Sequence, residues 1–294
     1  MAIFQKFQTN KLLSEISTFG VGGPAKWYVE VQTVDELKEV IKHCFQHKLP
    51  YFILGKGSNL VFDDRGFDGL VIGNRIQFCQ IEDTKVSVGA GYSYSLLGSQ
   101  TARKQLSGLE FASGIPGSVG GAVYMNAGAG KAQTADCLQD VLFIDEKGEE
   151  CLLKKEELKF SYRFSSFQKM RGAIAAATFE LKSSPEARQS QLSLIKYRTS
   201  TQPYQDKSAG CMFRNPGISS AGALIEKCGL KGFSMGGAGV SKMHANFIIN
   251  QKDATAEDVR NLSQHVRKLV QEQTGIELEF EVRFIPYHQG ESLV

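Results

Sequence analysis

The apolar positions of the first third of the chain change period twice. Trp27-Tyr28-Val29-Glu30-Val31 reads as a strand. Thr33 then caps a helix, and Glu36, three residues on, supplies the return half of a capping box. Val34, Leu37, Val40, Ile41, Cys44 and Phe45 recur at helical spacing on one face, so this helix lies against a sheet. Tyr51-Phe52-Ile53-Leu54 is a short unbroken apolar run, as a buried strand requires. The opening is a small α/β unit.

Further on, Gly69-Leu70-Val71-Ile72, Lys85-Val86-Ser87-Val88, Asp140 to Asp145 and Ala173 to Leu181 read as strands. One helix runs from Tyr94 to Leu106 and stops near Gly108. After the polar break at Ser184-Pro185, a helix begins with proline at its first position. A C-terminal helix is capped by Thr255, carries Val259, Leu262, Val266, Leu269 and Val270 on one stripe, and ends at Gly275. Glu277 to Ile285 alternates as a strand. The expected fold is α+β, with a two-part N-terminal region (1–66 and 67–186) and a C-terminal lobe (187–294).

Composition narrows the function classes. The 294 residues carry 34 Lys+Arg against 31 Asp+Glu, a net +3 without a block of like charge. A nucleic-acid surface would concentrate cations on one face, so none is expected. The six cysteines include no CxxC pair and no accompanying His motif, which argues against a zinc site, and His43 and His47 lack an acidic ligand set. No metal is expected. Met1-Ala2-Ile3-Phe4-Gln5-Lys6 has no apolar core or cleavage site, and no stretch approaches the ~20 apolar residues that span a bilayer. These features predict a cytoplasmic protein with reduced thiols and no membrane insertion; a monomer is expected, although the sequence itself does not give the oligomeric state.

The compositional outlier is 30 glycines against 7 prolines, which in an apolar-rich chain serves backbone geometry or close approach to a ligand. The glycines gather in two places. Gly55-Lys56-Gly57-Ser58-Asn59-Leu60 follows a strand directly, and Gly114-Ile115-Pro116-Gly117-Ser118-Val119-Gly120-Gly121-Ala122 lies in a longer Gly-rich stretch. Such turns present backbone N–H groups to an anion. Neither is GxGxxG opening a crossover helix nor GxxxxGK[ST], so a Rossmann dinucleotide fold and a P-loop are disfavoured.

With that wording, the two clusters resemble the flavin-pyrophosphate loops of the UDP-N-acetylenolpyruvoylglucosamine reductase family. Thr18-Phe19-Gly20-Val21-Gly22-Gly23-Pro24-Ala25, Phe160-Ser161-Tyr162-Arg163-Phe164-Ser165, Ser208 to Pro216, Ala221 to Glu226, His244 to Asn250 and Leu278 to Arg283 extend the resemblance in order. It implies a two-part FAD-binding region of the vanillyl-alcohol-oxidase/PCMH type and a C-terminal α/β substrate domain. It also implies non-covalent FAD, NADPH as co-substrate, and reduction of UDP-N-acetylglucosamine-enolpyruvate to UDP-N-acetylmuramate for peptidoglycan. Cell wall formation, cell shape and division would depend on that product.

The resemblance also assigns residues. FAD would be held by Gly55, Lys56, Gly57, Ser58, Asn59, Leu60, Gly114, Ile115, Pro116, Gly117, Ser118, Gly120, Gly121 and Ala122. Hydride from flavin N5 to the methylene carbon leaves charge that fixed donors must meet, and a carbanionic carbon that an acid must protonate. Arg163 and Glu281 match the family's enolate-stabilising pair. Alternation alone does not separate Glu281 from Glu279 on the same strand face, and near a buried flavin the Glu281 carboxyl is expected to titrate high. Cys211 stands where the family usually has the proton-donating serine; a thiol, with ordinary pKa about 8.5, is also protonated at neutral pH. Arg198, Gln202, Arg214, Asn215 and His244 are expected to meet the substrate. The short spacing from Tyr162-Arg163 to Cys211 resembles the family's compact subtype. An FAD-dependent oxidase on the same fold, or a silent UDP-sugar-binding regulator, are the alternatives.

Overall fold

The computed structural model describes residues 5–217 and 219–290; the first four residues of the segment examined for a signal peptide lie outside them. The chain forms two compact units. The first comprises the chain up to Gln8, Trp27–Lys56 and Leu70–Arg198, and the second Thr9–Lys26, Gly57–Gly69 and the chain from Thr199 onward. These units interleave, whereas the sequence suggested successive segments. The cause is apolar packing: Phe19, Val21 and Val61 are buried in one core with Met212, Phe213, Ile225, Val259 and Leu262, so two early segments join the late one.

The first unit contains two cores. In one, helix α1 (Val34–Gln46) buries Leu37, Val40, Ile41 and Cys44 against Val29, Val31, Leu70 and Ile72. The strand Tyr51–Leu54 pairs in parallel with Phe67–Asn74, as a strand buried by a covering helix does. Thr33 Oγ1 accepts the Glu36 N–H at 3.1 Å, but the Glu36 carboxylate accepts from the Gln32 N–H rather than closing the box on Thr33. Phe45, read as part of the apolar stripe, is 48% exposed because it sits at the edge of the face.

The second core lies on a five-stranded antiparallel sheet with the order Glu150–Lys154, Leu138–Asp145, Gly172–Glu180, Lys85–Gly89, Cys79–Glu82. Helices α2 (Tyr94–Arg103) and α3 (Val119–Met125) bury Tyr94, Leu97, Val119 and Val123 there. Helix α2 ends at Arg103, earlier than its apolar pattern suggested. Gln105 takes φ 58°, and Leu106–Ser107 leaves to pair with Lys182–Ser183. Helix α4 (Ala187–Thr201) likewise begins two residues after Pro185, not at it.

The second unit packs α5 (Ala221–Lys227) and α6 (Ala256–Thr274) on a sheet of order Ser208–Cys211, Phe247–Asn250, Ala238–Val240, Ser234–Met235. The start of α6 is a complete capping box: Thr255 Oγ1 accepts the Asp258 N–H and Asp258 Oδ2 accepts the Thr255 N–H. The Asp64 carboxylate accepts the next two N–H groups, of Ala256 at 2.7 Å and Glu257 at 3.1 Å. Gly275 at φ 72° ends the helix. Thr255→Ala is expected to lower stability by about 1 kcal/mol, read as a lower urea midpoint with unchanged slope.

The alternation of Glu277 to Ile285 is real in burial, with Leu278 and Val282 inside, but only Arg283–Ile285 forms a strand, parallel to Leu60–Phe62. Before it, the Glu281 and Val282 N–H groups both turn to Met212 O, so no regular ladder forms.

Candidate active site

Both glycine clusters owe their composition to crowding. A Cβ on Gly55 would stand 2.2 Å from Ser118 Oγ, and one on Gly120 2.9 Å from the Ala90 Cβ. The two loops therefore touch, Gly55 of one against Ser118 of the other. Ser118 is fixed in turn, because its Oγ accepts the Gly121 N–H as the N-cap of α3. The second loop is pinned by Gly120 N–H to Ala90 O at 2.8 Å and Tyr94 N–H to Gly117 O at 3.0 Å.

The first loop has a cationic support that the sequence pattern did not reveal. Arg75 donates from Nη1 to Gly55 O at 2.7 Å and from Nε to Glu30 Oε1 at 3.1 Å; Tyr28 donates to the same carboxylate at 2.7 Å. Burial, and then the Glu30 bond, push the Tyr28 phenol up. Gly73 makes room for that phenol, since a Cβ there would lie 2.7 Å from Tyr28 Oη. Lys56 donates to Ser93 Oγ at 2.8 Å, and burial together with the neighbouring Arg75 lowers its pKa. An ammonium beside another cation is suited to an anionic ligand.

In the second unit, Cys211 ends the strand Ser208–Cys211, opposite Phe247. The register slips between Ser208 and Cys211, and Gly210 takes φ 82° there. A bulge of this kind re-aims the side chain that follows. Nothing lies within 4 Å of a Cβ at Gly210, so the φ alone demands glycine. Gly210→Ala is expected to cost about 1–2 kcal/mol of strain and to lower kcat without loss of bound cofactor, checked by steady-state kinetics beside a thermal melt.

One peptide then links Cys211 to Glu281. Met212 O accepts the Glu281 N–H at 2.9 Å, and Asn59 Nδ2 donates to Glu281 O at 3.2 Å. Asn59 O also accepts the Arg283 N–H at 3.1 Å. Asn59, expected among the cofactor contacts, is thus a brace for the Glu281 segment. Packing separates the two glutamates that alternation left equivalent. The Glu279 side chain is 75% exposed and pairs with Arg214, whereas Glu281 is half-buried.

Arg163 belongs to the first unit. Its φ is 56°, a costly conformation for a non-glycine residue and a frequent mark of functional positions. Its guanidinium stacks over Tyr162 at 4.9 Å, and Nη2 donates to Gly128 O at 3.1 Å. Gln168 Nε2 holds the turn by donating to Arg163 O and Tyr124 O, each at 3.0 Å.

The expected substrate contacts divide. Arg198 donates from Nε to Gly114 O at 2.9 Å, so it braces the second glycine loop. Asn215 Oδ1 accepts the Ala221 N–H at the start of α5. Arg214 Nη1 meets Glu279 at 3.3 Å, while its Nε is buried without a hydrogen-bond partner. His244 Nδ1 accepts the Asn246 N–H at 3.3 Å, and its ring meets Phe247 edge-on. Gln202 is half-buried just beyond α4. Among the described residues there is no group of three or more His, Cys, Asp or Glu able to hold a metal ion, and no helix long and apolar enough to cross a membrane.

Residues 25–153 match the family model described as "FAD binding domain", and residues 202–285 match "UDP-N-acetylenolpyruvoylglucosamine reductase, C-terminal domain". The UDP-N-acetylenolpyruvoylglucosamine reductase of Protochlamydia amoebophila is 58% identical over 98% of this chain and 96% of its own. The chain belongs to the UDP-N-acetylenolpyruvoylglucosamine reductase family. The reductase of Chlamydia trachomatis serovar A is 49% identical over 94% of each chain. The crystal structure of the Thermus caldophilus enzyme superimposes with a TM-score of 0.81 at 40% identity, covering 94% of this chain and 98% of that one. The reductase fold expected from the loops, a flavin-binding region followed by the family's C-terminal domain, is therefore the fold observed. Arg75 and Gln168 went unnoticed in the sequence, and Asn246 was seen only as part of the His244 to Asn250 segment, because the carbonyls and amides they hold at Gly55, Tyr124 and Phe213 lie 20 to 44 residues away.

Proposed function

We propose that this flavoenzyme reduces the enolpyruvyl ether of UDP-N-acetylglucosamine-enolpyruvate to UDP-N-acetylmuramate, a step of peptidoglycan precursor synthesis, with Arg163, Cys211 and Glu281 as its catalytic residues. The observation that carries the reading is an end-to-end similarity, 58% identity over 98% of the chain, to a reductase of that name. The Lys56 ammonium, which lies in the first loop and whose charge burial and Arg75 disfavour, is suited to the FAD diphosphate. Gly55–Leu60 and Gly114–Ala122 would hold its diphosphate, Arg198 and Arg75 stiffening their carbonyls. When bound, FAD supplies the hydride that NADPH provides.

The remaining work falls to side chains. Arg163 is permanently charged and can donate two parallel bonds to a carboxylate, so it stabilises the enolate-like charge. Glu281, anchored at both ends of its peptide, faces the same charge as a hydrogen-bond donor in its protonated form. Cys211 gives its Sγ proton to the carbanionic carbon, whose electron pair forms the new C–H bond; the thiolate regains a proton from water. The buried Arg214 Nε is a donor for the anionic part of the substrate. The enzyme acts as a cytoplasmic monomer, and cell wall formation, shape and division depend on its product.

The test is anaerobic NADPH oxidation by the purified yellow protein, with and without the enolpyruvyl UDP-sugar. Turnover that requires the sugar supports the reductase. Peroxide formation in air without it supports an oxidase, and binding without turnover a regulator; either result overturns the proposal.

A further inference from the structure

We propose that Asn246 is a positioning residue for this reaction, fixing Cys211 through the two peptides that follow it. The inference rests on the reading of Cys211 as proton donor.

Regular pairing between the strands ends at Cys211 opposite Phe247. Past that point Asn246 replaces the missing ladder. Its carbonyl accepts the Met212 N–H at 2.7 Å. Its side-chain amide then bonds Phe213 twice: Oδ1 accepts the Phe213 N–H at 2.9 Å, and Nδ2 donates to Phe213 O at 2.7 Å. The amide thus acts as a second strand neighbour for Phe213, whose other edge is bridged to Phe280. Asn246 is only 2% exposed and Phe213 1%, so water does not substitute for these bonds. On its other side, Met212 O carries the Glu281 N–H. Any movement of the Met212–Phe213 stretch therefore displaces the thiol and, through Met212, the carboxylate.

The geometry of Asn246 is itself guarded. Its N–H is held by His244 Nδ1 at 3.3 Å, and Gly222 of α5 faces it, where a Cβ would lie 3.3 Å from His244 Cε1 and 3.7 Å from Asn246 Cβ. Within the His-Ala-Asn-Phe segment, Asn246 is the member that reaches the backbone beside the proposed acid. A proton donor must be within hydrogen-bond reach of its carbon, and a misplacement of about 1 Å costs roughly a hundredfold in rate.

The test separates the two half-reactions under anaerobic conditions: reduction of the bound flavin by NADPH, and its reoxidation by the enolpyruvyl UDP-sugar. Asn246→Ser is compared alone and combined with Cys211→Ala. Reduction is expected to stay near the parent rate while reoxidation slows by about a hundredfold. In the Cys211→Ala background, Asn246→Ser should add no further loss, because the group it positions is gone. Asn246→Asp keeps the volume and the acceptor for the Phe213 N–H, so it should fall between parent and Ser; it also carries the test if the Ser variant retains no flavin. Equal slowing of both half-reactions, or an additive loss in the Cys211→Ala background, overturns the inference alone. Parent-like reoxidation by Cys211→Ala itself removes the acid assignment, and the inference falls with it.

Discussion

Cys211→Ala loses turnover, by about 10²–10⁴-fold or more, while NADPH still reduces the bound flavin, and Cys211→Ser remains active. That is the expected result of stopped-flow and steady-state assays on the two variants. Alanine removes the proposed proton source for the carbanionic carbon without touching the neighbouring main-chain bonds, which run through Met212 and Phe213. Serine restores a protonated group of similar reach at the same position, the one usual in the family. Normal turnover by the alanine variant would end the assignment.

The second large effect is expected from Gly55→Val. The position has no left-handed φ, so its constraint is purely one of space: a Cβ would lie 2.2 Å from Ser118 Oγ. Relief requires the two glycine loops to part or Ser118 to abandon the N-cap of α3. Overpacking of this kind costs about 1–3 kcal/mol, equivalent to a roughly 5- to 150-fold loss in flavin affinity. The variant should purify with little yellow colour, quantified as the 450 nm to 280 nm absorbance ratio. Gly55→Ala combined with Ser118→Gly should recover flavin, because the colliding oxygen is gone and a glycine cap costs only a few tenths of a kcal/mol. A fully loaded Gly55→Val protein would contradict the described contact.

Local features were legible wherever a short stretch determines its own conformation. The α6 boundaries came from the Thr255 cap and the Gly275 stop, and the structure has both. The strand Tyr51–Leu54 came from four consecutive apolar residues. Misreadings occurred where distant partners decide. The helix after Tyr94 ends at Arg103 because Leu106–Ser107 pairs with Lys182–Ser183. Glu277 to Val282 alternates like a strand, yet its amides at Glu281 and Val282 go to Met212 O.

The same division runs through the site. The glycine loops were readable because close backbone approach writes itself into local composition. Alternation did not tell Glu279 from Glu281; the family's Glu-Val step chose Glu281, and the difference in their packing was not readable. It arises from contacts such as Asn59 to Glu281, 222 residues apart, that no period records. Sequence by itself determined the family, the two glycine loops and the residue types available for acid and electrostatic work. Tertiary structure alone decided which of these residues are braces: Asn59 for Glu281, Arg198 for Gly114, Arg75 for Gly55 and Asn246 for Phe213. The physical reason is that a buried peptide group must find a partner wherever the fold supplies one. That partner is chosen by packing, which brings together residues that the chain keeps far apart.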